Sequence, residues 1–214
     1  MPLNPQQIDR YSRQIIVPGV GGRAQERLLA SRLILAGERR SMEPVLLYMT
    51  GAGVGTVELA IVDDAGASAE LADSMRHLNG DVVVLPRLDE SRSAPDLVFA
   101  IIESPASFDN AGAMVARFPH AKWVLARIDA PPRIAVLPSP PPCARCAGKR
   151  LLSPPGDRAA NASVVVMAAT VEAFKLLAGY AKDNSATMID FDGYESRTSR
   201  LAPDPNCDCA KTGA

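Results

Sequence analysis

Apolar and polar positions change their spacing along this chain in blocks. Asn4 to Ile15 and Gly22 to Ser31 carry helical spacing, joined by "VPGVGG". Leu33 to Ala36 then forms a short apolar run, and the helical pattern resumes near Met42 and runs through "PVLLYM" to the glycines of "TGAGVG". "VELAIVDD" (57–64) precedes a second amphipathic stretch, "ASAELADSMRHLN". "DVVVLPRL" and "DLVFAIIE" are two further strand-like runs, followed by a helix over Ser107 to Phe118; "KWVLARI" and "RIAVL" add two more strands. Near-continuous apolar strands alternating with helices predict an α/β fold, a mainly parallel sheet covered by helices on both faces. Trp123 and Phe174 fall at core positions, and His77 and His120 lie in patterns that give them no partner.

The last third reads differently. Asn161 to Ala181 predicts one long helix, apolar around much of its circumference at its start. Such a helix is buried, in the core or against another subunit. "ATMIDFDGYESRTSRL" alternates around Asp192-Gly193, which predicts a β-hairpin. The expectation is a single domain over 1–214: N-terminal helices (1–31), an α/β core (32–138), and a cysteine-bearing loop, long helix and hairpin tail (139–214).

One junction breaks the pattern expected of it. In "LAGERRSMEP" a buried strand turns directly into a helix, an arrangement that in nucleotide-binding folds carries a glycine-rich loop. Only Gly37 is present, followed by Glu38, Arg39 and Arg40. Two readings stand: the arginines grip an anion directly, or they are solvated turn residues.

Composition narrows the classes. The chain has 214 residues, 47% hydrophobic and 22% charged, as in an ordinary globular protein. A net charge of −1 supplies no electrostatic drive toward nucleic acid or anionic lipid. No apolar run approaches the roughly 20 residues that span a bilayer, and the polar N-terminus has no signal-peptide core. The expectation is a cytoplasmic protein without a nucleic-acid or membrane partner. Thiols there stay reduced, so a patterned set of cysteines favours metal over disulfides. All four cysteines fall into two pairs, Cys143-x-x-Cys146 and Cys207-x-Cys209. Four thiolates fill a tetrahedral zinc ion and leave no open position, so the zinc expected here is structural.

The segment "RYSRQIIVPGVGGRAQERLLASRLILAG" (10–37), with Gly22, Gln25 and Leu28, resembles the start of the ThiF/MoeB/HesA family, bacterial relatives of ubiquitin-activating enzymes. "AGVGTVELAIVDD", the Cys143/Cys146 pair and "EAFKLLAGYAK" with the cysteine-bearing tail continue the similarity in the same order. The resemblance implies a Rossmann-like sheet, dimers, a zinc held by four cysteines, and adenylation of a ubiquitin-like or sulfur-carrier protein with ATP and Mg. It also places Arg13 at a position that reaches across the dimer to a partner's ATP.

The departures concern the nucleotide. The family's glycine loop leaves only Gly37, with Arg39, Arg40 and Met42 at the other positions. Asp63 and Asp64 stand where relatives hold ribose and Mg, and Glu103 replaces a magnesium-binding aspartate. The asparagine–arginine segment and lysine that neutralise a triphosphate are missing, as is a nucleophilic cysteine between Cys146 and Cys207. The expectation is a degenerate member without bound ATP or Mg, a binding, scaffold or dimer-partner subunit. It would pair as a homodimer or heterodimer with an active relative and engage a carrier protein. The alternatives are an adenylyltransferase with a site remodelled around Arg39, Arg40, Asp64 and Glu103, and a peptide-recognition module for another modifying enzyme.

Overall fold

A computed structural model describes residues 2–18, 20–64, 66–129, 131–151, 160–180 and 184–211. Its centre is one eight-stranded sheet in the order β3-β2-β1-β4-β5-β6-β7-β8. The strands are β1 Arg32–Gly37, β2 Thr56–Ile61, β3 Val83–Leu85, β4 Leu97–Ile102, β5 Lys122–Arg127, β6 Arg133–Leu137, β7 Thr187–Asp192 and β8 Glu195–Arg200. The first five pair in parallel, and β6, β7 and β8 continue the sheet antiparallel.

The central strands are apolar on both faces because both are covered. In β1, Leu33 and Leu35 enter one core, with Met42, Leu46, Leu71 and Val165; Ile34 and Ala36 enter the other, with Ala111, Trp123 and Ala147. Helices α3 (Gly21–Ala30), α4 (Arg39–Ala52), α5 (Ala67–Leu78) and α8 (Ala162–Ala178) supply the first face. Helices α6 (Pro105–Arg117) and α7 (Ala144–Leu151) supply the second.

Several expected boundaries move. The N-terminal helix is two pieces, α1 (Pro5–Arg10) and α2 (Ser12–Ile15), broken at buried Tyr11. Tyr11 Oη donates to Asp81 and accepts from Asn79 Nδ2, which also donates to the Thr50 carbonyl. This knot fixes the break and leaves Gly53 no room: a Cβ there would lie 2.7 Å from both Tyr11 Oη and Gln25 Nε2. Helix α4 starts at Arg39, not near Met42, and Pro44 lies inside it. Of "DVVVLPRL" only Val83–Leu85 is strand. Trp123 is buried, Phe174 packs half-buried against the core, and His77 and His120 are exposed. The hairpin β7–β8 forms as expected, turning at Gly193 and Tyr194. Ala181 and most of the "LLSPPG" loop lie outside the described residues.

At the end of the sheet where β1 and β2 begin, Arg32 and Glu58 form a buried fork, Nε to Oε1 at 2.6 Å and Nη2 to Oε2 at 2.9 Å. The Asp89 amide donates to the same carboxylate, and Arg32 also donates to the Ser93 carbonyl.

Candidate functional site

In a sheet of this order, ligands bind outside the carboxyl ends of the strands, where the strand sequence reverses. Here that point lies between β1 and β4. Gly37 and Glu38 follow β1, Asp63 and Asp64 follow β2, and Glu103 follows β4. The fold therefore gathers the six predicted residues Gly37, Arg39, Arg40, Asp63, Asp64 and Glu103 around the N-terminus of α4.

Their arrangement is not that of a phosphate cradle. The connection from β1 to α4 is one residue, Glu38, in extended conformation. Gly37 has φ +150°, and a Cβ there would sit 3.1 Å from the Ile101 carbonyl and 3.2 Å from Ile101 Cβ. This glycine permits close contact between strands. The Arg39 amide, a free donor at the head of α4, points at Asp63 Oδ1 at 2.9 Å. Asp64 Oδ1 accepts from the Gly66 and Ala67 amides, each at 3.0 Å, at the start of α5. Both strand-end carboxylates thus satisfy helix amides.

The Arg39 guanidinium lies 3.4 Å from Glu70, 3.8 Å from Asp64 and 4.0 Å from Glu43. Arg40 is almost fully exposed, and its Nη2 is 3.7 Å from Glu103 Oε2. The Glu103 side chain is only 8% exposed. Its Oε1 is closed off from solvent and has no hydrogen-bond partner among the described residues. Burial pushes the Glu103 carboxyl above its ordinary range; the Glu38 and Asp63 charges push the same way, against Ser41 and Arg40. Ser41, beside this carboxyl, is a residue that the sequence pattern did not single out. Arg13 lies on exposed α2 and makes no hydrogen bond or ion pair among the described residues.

Beside this cluster an open cleft of about 1190 Å³ runs over β2 and the segment after β3, lined by Ile61, Ser68, Arg87, Asp89, Ser91 and Asn110.

The second candidate centre is the cysteine set. Cys143 precedes α7 and Cys146 lies within it; Cys207 precedes the short helix α9 (Asp208–Lys211), which contains Cys209. Cys143 Sγ is 3.7 Å from both Cys146 Sγ and Cys207 Sγ, and Cys146 Sγ is 3.4 Å from Cys209 Sγ. All four sulfurs lie within 4.8 Å of one another. Metal–thiolate bonds of about 2.3 Å set tetrahedral sulfurs about 3.8 Å apart, so the four fit one ion, and the single residue between Cys207 and Cys209 does not prevent it. A hydrogen bond from the Cys209 amide draws Cys207 down to about 7, and burial pushes Cys209 up to about 12. A bound cation would draw off the remaining thiol protons. The Lys149–Asp204 pair, 2.7 Å apart, ties the same two segments together.

No family model matches the chain. A molybdopterin-synthase adenylyltransferase of Escherichia coli K12 is 26% identical to it over 242 aligned positions, covering 96% of this chain and 97% of that protein. Along almost its whole length the chain is similar to adenylyltransferases of the ThiF/MoeB/HesA type. A SAMP-activating enzyme E1 of Haloferax volcanii is 44% identical over 64 residues, 30% of this chain and 23% of that one. A crystal structure of E. coli MccB with ATP has the same fold, with TM-score 0.70 and 14% identity over 96% of this chain and 75% of that one. Set beside these ThiF/MoeB/HesA relatives, the chain keeps the sheet and gathers the four cysteines. Its own side chains occupy the head of α4.

Proposed function

We propose that this chain is a non-catalytic member of the ThiF/MoeB/HesA family, a cytoplasmic binding or partner subunit in a ubiquitin-like or sulfur-carrier pathway. The observation that carries this reading is the Asp63 carboxylate on the Arg39 amide, 2.9 Å away. An anion already occupies the donor that a phosphate would need, and the one-residue turn at Glu38 leaves no loop to wrap one. Four more carboxylates, Glu38, Asp64, Glu70 and Glu103, surround the position and repel a triphosphate. Arg39 is neutralised by its own neighbours.

A partner role is supported by exposed apolar side chains on two helices packed against each other. Leu47 and Tyr48 on α4 are 51% and 49% exposed, and Val164 and Val171 on α8 are 38% and 47% exposed. Exposed apolar side chains suit a second copy of the chain or an active relative, to which Arg13 would be lent. The cysteine set is read as a structural zinc site, since four thiolates leave no position for substrate.

An adenylyltransferase with a remodelled site is the second reading, favoured by the match to an adenylyltransferase along 97% of that protein's length. Calorimetry with ATP and Mg, together with ATP–pyrophosphate exchange in the presence of carrier proteins ending in Gly-Gly, separates the two. The expected result is no ATP heat and no exchange. Micromolar ATP affinity, lost in an Arg39→Ala, Arg40→Ala variant, would overturn the non-catalytic reading.

A further inference from the structure

The four cysteines differ in what can reach them. A cavity of about 490 Å³ lies against the cluster, lined by Val115, His120 and Arg145 and by Cys143, Cys207 and Cys209. Cys146 is not among its walls and is only 3% exposed. Cys209 is half-buried at the cavity, and its Sγ lies 3.4 Å from Cys146 Sγ. Cys143 Sγ is farther from its neighbours, 3.7 Å from both Cys146 Sγ and Cys207 Sγ. Between Ala202 and Ala210 no residue other than the cysteines is buried. The hold of this segment on α7 therefore rests on sulfur and on surface pairs such as Lys149–Asp204, and exposed pairs contribute little. The bonds that the sulfurs make decide whether the tail stays in place.

We infer that this clasp is redox-convertible: hydrogen peroxide entering the cavity oxidises Cys209, and Cys146 closes on it in a disulfide that takes over the tail's attachment. For its reduced state the inference rests on the metal reading of the four cysteines. The steps balance with peroxide as the sole oxidant. The Cys209 thiolate attacks one peroxide oxygen, the O–O bond breaks, and the departing hydroxide is protonated to water, leaving a sulfenic acid. The Cys146 thiolate then attacks that sulfur, the S–O bond breaks, and a second hydroxide leaves as water. Two thiolates give up two electrons and the peroxide takes them. Two of the four ligands that hold a metal are consumed, so the metal is released. Two features single out this pair. Access and shielding are divided between its members, since Cys209 lines the cavity and Cys146 lies behind it, as in a reactive cysteine with a resolving partner. Pairing within the tail is opposed by the single residue between Cys207 and Cys209, a spacing whose disulfide ring is strained. The Cys146–Cys209 bond joins residues 63 positions apart, so it holds the tail on α7 in place of the metal. Cys143 and Cys207 remain opposite each other at 3.7 Å for a second peroxide.

The whole chain is purified with zinc, treated with one equivalent of hydrogen peroxide, blocked with iodoacetamide and digested without reduction for mass spectrometry. Trypsin, cutting after Arg145, separates Cys143 from Cys146, and a protease that cuts before Asp208 separates Cys207 from Cys209. The expected product is a peptide pair joined at Cys146–Cys209, with loss of the bound zinc to a chromogenic chelator. Limited proteolysis after 201 should be no faster than in untreated protein, whereas reduced protein stripped of metal should be cut there faster. Cys209→Ser is expected to lose the linkage and Cys143→Ser to keep it. A Cys143–Cys146 or Cys207–Cys209 disulfide as the main product, oxidation that opens the tail to proteolysis, or four thiols that remain alkylatable overturns the inference. If the serine variants fail to fold, the disulfide map of the wild-type chain decides alone. Untreated protein that carries no zinc defeats the metal assignment by itself, and the same map, read on the metal-free chain, still decides which disulfide forms.

Discussion

The Asp63 carboxylate accepts a hydrogen bond from the Arg39 amide at 2.9 Å across 24 residues of sequence. It joins the end of β2 to the start of α4 and does the work of an N-cap, since Glu38 provides no side-chain cap. Asp63→Ala should therefore lower stability by about 1 kcal/mol, with Asp63→Asn retaining most of it. Urea midpoints at unchanged slope measure this, and an unmoved midpoint for the alanine variant would show that the cap contributes nothing.

Gly51, within the last turn of α4, and Gly55, just beyond it, should separate by packing. A Cβ on Gly55 would lie within bonding range of the Leu29 carbonyl oxygen, whereas one on helical Gly51 meets nothing within 4 Å. Gly51→Ala is expected to stabilise by about 0.5–1 kcal/mol. Gly55→Ala is expected to unfold the protein or move α3 away from β2. A soluble Gly55→Ala protein with a native melting curve would contradict the close approach.

The Arg32–Glu58 fork is a buried ion pair whose partners depend on each other. Removing one, as in Glu58→Ala, should destabilise by about 3–5 kcal/mol. Replacing both with apolar residues of similar volume should recover most of the loss. A double-variant loss equal to the sum of the Arg32→Ala and Glu58→Ala losses would mean that the charges are independent.

Glu103 makes stability depend on pH with a definite sign. Burial, first, and the charges of Glu38 and Asp63 raise its carboxyl, while Ser41 and Arg40 pull it down. The folded state therefore holds this proton more tightly than the unfolded chain. The contribution is present below the unfolded carboxylate value and is lost as pH rises through the raised folded value. Glu103→Gln should gain stability relative to the wild type across that window, in denaturation curves collected at a series of pH values. A constant difference from acid to neutral pH would remove Glu103 as the cause.

Metal removal should loosen the contact between α7 and the C-terminal tail before the sheet. Zinc at one equivalent, lost in Cys146→Ser, is the expected metal analysis. Chelation should raise proteolysis after 201 and lower the melting temperature. Protein purified without chelator but containing far less than one equivalent of metal would defeat the zinc assignment.

The sequence by itself determined the order of strands and helices, the two-faced burial of β1 and β4, the hairpin, and the departures from the family's glycine loop. Those are local matters of periodicity and residue type, which spacing records directly. It marked both cysteine pairs but not their meeting, which depends on β6 and β7 joining the sheet and bringing the tail beside α7. Helix α7 went unread because eight residues after a proline-rich run carry too little periodicity. The role of Asp63 was decided by the tertiary structure alone. In sequence it is an acid at a strand end, and only the parallel pairing of β1 with β2 sets it against the Arg39 amide. The same holds for Glu103, which the parallel pairing of β1 with β4 sets beside Arg40 at the head of α4. Long-range contacts of this kind depend on strand order and register, which no single segment encodes.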